Sequence, residues 1–146
     1  MLTRTKTPFG SRAAVPCGNG ELVLVVDDQQ DIRDLLATVL TDHGYRPLLA
    51  VDGEDALATF KRQADRVAVV VTDLNMPHIE GGSLANRLRQ YRADLPILFM
   101  SGLNENAAKY GALLAKTRHP FLLKPFRPIA LLDAIHQLLQ RCASKS

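Results

Sequence analysis

The sequence predicts a doubly wound parallel α/β domain of five strands and five helices, on three observations. Short apolar runs of strand length alternate with longer segments whose apolar residues recur at helical spacing. The runs are apolar throughout, as strands buried on both faces are. The length, 146 residues, suits one such domain around one core.

The first strand is "LVLVV", residues 22–26. Ile32, Leu35, Leu36, Val39 and Leu40 follow at i, i+3, i+4, i+7 and i+8, which is one apolar helical face, and Gly44 stands where a C-terminal cap belongs. "RPLLAV", 46–51, is the second strand, and Leu57 with Phe60 marks a shorter second helix. "VAVVVT", 67–72, is the third strand, followed by a helix carrying Leu84, Leu88 and Tyr91. "LPILFM", 95–100, is the fourth strand. The helix expected over 104–118 is the loosest, because Ala107, Ala108, Leu113 and Leu114 form a thin apolar face and Gly111 costs about 1 kcal/mol relative to alanine. "FLLK", 121–124, is the fifth strand, and Ile129, Leu132, Ile135, Leu139 and Cys142 mark the fifth helix. Asp31 and Asp52 read as helix N-caps.

In such sheets ligands collect at the carboxyl ends of the strands. The residues at those ends are Asp27 and Asp28 after the first strand, Asp73 after the third, Ser101 after the fourth and Lys124 at the end of the fifth. Like charges about 4 Å apart repel by roughly 4 kcal/mol at an effective dielectric of 20, so three clustered carboxylates require a cation. Mg²⁺ fits best: it takes oxygen ligands from one or two carboxylates, keeps several waters and is often completed by a phosphate oxygen. With Lys124 it brings three carboxylates to neutrality. No histidine or cysteine stands at these strand ends, which leaves Asp73 as the candidate nucleophile toward phosphorus, a reaction that needs positioning and charge neutralisation more than proton chemistry.

Composition excludes several other classes. No apolar run reaches the 18 residues of a membrane span, and the first twenty residues lack a secretory apolar stretch. Cytoplasmic localisation is the expectation. Cys17 and Cys142 are too few and too distant in sequence for a disulfide framework, and no Cys/His spacing suggests zinc. The net charge of +3 comes from Arg4, Lys6 and Arg12 in a lead-in without acids; removing those three of 18 basic residues leaves 15, equal to the 15 acids. The rest of the chain has no global basic footprint for nucleic acid. Residues 1–20 mix Pro, Gly, Ser and Thr without periodicity and read as a linker or disordered tail; Pro8, Gly10 and Pro16 would break a transit-peptide helix. The expected domain is 21–142, with 143–146 as a short tail.

The motifs "LVLVVDDQQDIRDLL", "TDLNMPHIEGG", "ILFMSG" and "FLLKPF", in this order and in these strand contexts, resemble the receiver domains of two-component response regulators over residues 22 to about 142. The resemblance implies a flavodoxin-like sheet of strand order 2-1-3-4-5. It implies that Asp73 accepts a phosphoryl group from a phosphohistidine on a histidine kinase or phosphotransfer domain. Mg²⁺ would be held by Asp28, Asp73 and the main-chain carbonyl of Asn75, with Asp27 contributing through water. Ser101 and Phe121 would form a switch, Phe121 turning inward as the Ser101 hydroxyl moves toward the phosphoryl group. The Lys124–Pro125 peptide would be cis. A downstream protein would dock on the face of the fourth helix, fifth strand and fifth helix, the domain itself being a monomer or weak dimer.

Gln29 stands where receivers often have a third acid, Glu80 replaces a frequent Asp, and the Ser101 to Lys124 interval is about one residue longer than usual, which bears on the shape of the fourth helix. Phe121 in place of a frequent Tyr can report the switch by packing alone. A nucleotide-binding domain of this architecture would carry a glycine loop after the first strand, where this chain has acids. An aspartate-nucleophile phosphohydrolase would carry a second carboxylate two residues after Asp73, where Asn75 stands. A degenerate receiver serving only as an interaction module would have lost Asp73 or Lys124. The linker-like lead-in favours the receiver of a hybrid histidine kinase over a free-standing regulator.

Overall fold

The computed structural model describes residues 17–73, 81–101 and 121–145. Five parallel strands, β1 (Leu22–Val26), β2 (Arg46–Ala50), β3 (Val67–Asp73), β4 (Ile97–Ser101) and β5 (Phe121–Leu123), form one sheet in the order β2-β1-β3-β4-β5. Around it pack α1 (Gln30–Asp42), α2 (Gly53–Arg62), α3 (Gly81–Tyr91) and α4 (Pro128–Lys145), the last being the fifth helix expected from the sequence. The expected fourth helix, 104–118 with Gly111, lies outside the described residues, as do Asn75, Glu80 and residues 1–16. Among the described residues no helix is long and apolar enough to cross a membrane.

Strand pleating divides the core in two. Leu24, Val26 and Val70 point to a layer with Phe60 of α2 and Leu84 and Leu88 of α3. Val23, Val25, Val69 and Val71 point the opposite way, to Leu36 and Leu40 of α1 and Leu131, Leu132 and Ile135 of α4. Each of the fully buried leucines, isoleucines and phenylalanines contributes about 1.5–3 kcal/mol through the surface it withdraws from water. Central β1 and β4 are buried at every position. Edge strand β2 is half-exposed and accommodates Pro47, which can donate no ladder hydrogen bond.

Several expectations change in detail. Leu35, Tyr91 and Ile129, assigned to inward faces, are exposed, because each lies at the margin of an apolar stripe wider than the sheet beneath it covers. The inward face of α4 includes Leu131 and Leu138 instead. Asp52 caps α2 by accepting from the Asp55 amide at 2.8 Å, whereas Asp31 lies inside the first turn of α1 and the N-cap position is Gln29, without a side-chain cap. Helix α4 runs on to Lys145, past the expected boundary at 142, since no glycine or proline interrupts it there.

Residues 17–20, which composition placed in the lead-in, hydrogen-bond to the turn after α1. The Gly18 amide donates to the His43 carbonyl and the Gly20 amide to the Gly44 carbonyl, each at 2.7 Å. Gly44 has φ +87°, and a Cβ there would meet the Gly18 carbonyl oxygen, so glycine is required both for the backbone and for the close approach.

Candidate functional site

Parallel strands β1 and β3 are neighbours, with Val26 in register with Thr72, so the residues that follow them, Asp27 and Asp73, emerge together at the carboxyl edge. One carboxylate oxygen each from Asp27, Asp28 and Asp73 lie within 4.8 Å of one another. Asp27 and Asp73 are buried and Asp28 is exposed. Lys124, one residue past β5, reaches the same point: its Nζ donates to Asp27 Oδ2 at 2.6 Å and to Asp73 Oδ2 at 3.2 Å. Burial pushes the Lys124 pKa down, but the hydrogen bond to Asp27 and the negative charges of Asp27 and Asp73 outweigh it, and the net shift is upward. The ammonium therefore stays charged well above neutral pH.

Asp27 is the fixed member of the group. Its amide extends the β1–β2 ladder by donating to the Ala50 carbonyl at 3.2 Å, and its Oδ1 accepts from the Gln29 amide at 2.9 Å. Its own carbonyl accepts from Arg33 Nη1 at 2.7 Å. Asp73 is held by its place at the end of β3, paired with Met100 of β4, and its carbonyl accepts from the Thr72 hydroxyl at 3.2 Å.

Ser101 ends β4, fully buried, and its carbonyl accepts from the Lys124 amide at 2.7 Å. Phe121 begins β5 in register with Phe99 and packs half-buried against the layer that holds Phe60 and Leu84. The Lys124–Pro125 peptide bond is cis. Of the residues singled out in the sequence, Asp27, Asp28, Asp73 and Lys124 thus meet at one point and Ser101 adjoins it through the main chain; Asn75 lies outside the described residues. Sequence reasoning passed over Arg33. Its signal was its position on the first turn of a helix six residues after Asp27, close enough to fold back onto the strand end.

Three carboxylates offering oxygen alone, two of them buried, form a donor set suited to a hard divalent cation. A lysine among them leaves the formal charge at −2. The arrangement can hold a divalent cation and offers a nucleophilic carboxylate next to it.

A doubly wound sheet with an aspartate at the end of its middle strand, flanked by two more acids and a lysine, defines an α/β domain whose charged site stands at the carboxyl edge. Comparison with known proteins identifies the family: residues 23–136 match the response regulator receiver domain, and the chain belongs to that family. It is 36% identical over 121 residues to a curated relative from Porphyridium aerugineum named "Probable transcriptional regulator ycf27", covering 83% of this chain and 49% of the relative. The chain thus spans about half the length of the curated relatives it matches. Among solved structures, a response regulator receiver domain protein from Clostridium thermocellum superimposes with a TM-score of 0.80 at 22% identity, over 86% of this chain and 99% of that one, and shares its fold. The receiver domain of the hybrid histidine kinase CckA matches with a TM-score of 0.68 at 29% identity, over 82% of this chain and 99% of that one. Receiver domains bind Mg²⁺ at an acidic pocket, and the Asp27, Asp28 and Asp73 cluster lies at the corresponding sheet edge.

Proposed function

We propose that this chain is a phosphoacceptor: Asp73 takes a phosphoryl group from a phosphohistidine on a histidine kinase or phosphotransfer domain. The observation that carries the reading is the convergence of Lys124 and two further carboxylates on the Asp73 side chain. An Asp73 carboxylate oxygen forms a bond to phosphorus as the bond from phosphorus to the imidazole nitrogen breaks. The imidazole leaves with that electron pair, and the product is an acyl phosphate. Lys124, already within 3.2 Å of Asp73, supplies positive charge to the incoming phosphoryl oxygens through a charge-assisted hydrogen bond. Asp27 holds that ammonium in place at 2.6 Å. Mg²⁺, held by Asp28 and Asp73 with the Asn75 carbonyl that the family pattern adds and with Asp27 contributing through water, would supply the positive charge that two spare carboxylates otherwise deny the phosphoryl group.

Ser101 and Phe121 carry the response in this reading. Ser101 adjoins Lys124 through the main chain, and Phe121 is half-buried against the neighbouring core layer. Ser101→Ala is expected to leave labelling of Asp73 intact while removing the phosphorylation-dependent shift of the Phe121 ring resonances in NMR spectra; an unchanged ring response would take Ser101 out of the mechanism. For the protein as a whole, the name of the matched curated relative supports a response regulator ahead of the hybrid kinase suggested by the lead-in, and the partners would be a histidine kinase and a downstream target. The phosphoacceptor reading is tested by incubating the chain with Mg²⁺ and acetyl phosphate and measuring its intact mass, one added phosphoryl group being the expected product.

A further inference from the structure

Asp28 is the exposed acid of the cluster, yet the two peptide groups that flank it are both held. The peptide between Asp28 and Gln29 donates its N–H to Asp27 Oδ1 at 2.9 Å. The peptide between Asp27 and Asp28 offers its carbonyl oxygen to Arg33 Nη1 at 2.7 Å. The Arg33 amide in turn donates to the Gln29 carbonyl at 3.1 Å as α1 begins. Arg33 therefore grips the short strand-to-helix loop from both sides of Asp28, once by side chain and once by main chain.

We propose that Arg33 is a positioning residue for divalent-cation binding: its guanidinium, fixed on the Asp27 carbonyl, sets the backbone of Asp28 so that this exposed carboxylate stays with those of Asp27 and Asp73. The inference rests on reading the acid cluster as a cation site. Groups that orient metal ligands without touching the metal typically change affinity by roughly 10- to 100-fold when removed. A guanidinium near three carboxylates also weakens their pull on a cation, so its charge and its positioning act in opposite directions. Positioning dominates here, because among the described residues the guanidinium bonds a main-chain carbonyl and forms an ion pair with no carboxylate.

Titration of the ¹⁵N-labelled chain with MgCl₂, followed through the amide resonances of Asp28, Gln29 and the strand residues, tests this without reference to phosphorylation. R33Q is expected to raise the Mg²⁺ dissociation constant by about tenfold, with the amide pattern of β1 and β3 unchanged, and R33K, which keeps a donor for the same carbonyl, should return most of the affinity. R33Q binding Mg²⁺ as tightly as the unmodified chain or more tightly, or R33K no better than R33Q, would overturn the proposal while leaving the cation site in place. An unmodified chain whose amides do not respond to Mg²⁺ at all would remove the cation site itself, and this inference with it.

Discussion

At the carboxyl edge of the sheet Lys124 meets two aspartates, whereas at the amino edge two arginines meet main-chain carbonyls. Arg92 donates to the carbonyls of Ala64 and Val67, just before and at the start of β3, and Arg89 donates through Nε and Nη2 to the Leu95 carbonyl ahead of β4. Arg92 also forms an ion pair with the exposed Asp94 carboxylate at 3.7 Å, so the positive charge at this edge serves neutral carbonyls and one opposite charge. At the opposite edge, among the described residues, three acids gather around one lysine, which pairs with two of them. Cations spread over main-chain carbonyls read as architecture, and a cluster of like charge gathered at a strand end reads as a place to receive something.

That contrast can be broken first by chelation. If the acid excess is what a cation must offset, EDTA should abolish phosphoryl labelling and leave the fold unaltered, measured by intact mass and circular dichroism; labelling that proceeds equally well in EDTA would mean that Lys124 alone suffices. Next in size is Lys124→Ala, which should lower the yield of labelled protein by about an order of magnitude without eliminating it, since one charge-assisted partner of the phosphoryl group is lost. At the amino edge Arg92→Ala should cost about 1–3 kcal/mol in stability by denaturant unfolding, through the carbonyls left without a donor, yet label normally when folded. A labelling defect in folded Arg92→Ala would erase the distinction between the two edges.

The smallest effect is one of pH. The Lys124 pKa is raised in the folded chain above its ordinary 10.5, so the stability it contributes is fully present below that ordinary value and is lost as pH rises through the higher folded value. The unfolding free energy of the native chain should therefore fall above pH 10.5, and Lys124→Ala should flatten that part of the curve. Equal alkaline slopes in both proteins would show that the lysine's pairing with Asp27 and Asp73 does not stabilise the fold.

Much of this was legible beforehand. β1 spans the residues its apolar run marked, because a central parallel strand must be apolar on both faces, and the placement of Asp27, Asp73, Ser101 and Lys124 follows from where such strands end. Helical faces were read less sharply: periodicity gives the direction of a stripe but not the width of sheet beneath it, and Leu35 and Tyr91 fell outside that width. The hydrogen bonds of Arg92, to carbonyls 25 and 28 residues away in sequence, depend on tertiary packing that no local pattern encodes. Arg33 was within reach of local reasoning, since its partner lies only six residues back, but charged residues on helix surfaces are usually solvated and its role emerged only with the loop geometry. The docking of Gly18 and Gly20 against His43 and Gly44 was hidden for a related reason, because composition alone gives glycine-rich segments as linkers.

The central claim is that the Asp73 carboxylate is the phosphoryl acceptor, and intact-mass spectrometry of the native chain beside Asp73→Asn tests it most directly. With Mg²⁺ and acetyl phosphate, the native protein should gain one base-labile phosphoryl group, and the folded asparagine variant, which keeps the shape of the side chain but lacks the nucleophilic oxygen, should gain none. A phosphoryl group of the same stoichiometry on Asp73→Asn would contradict the account.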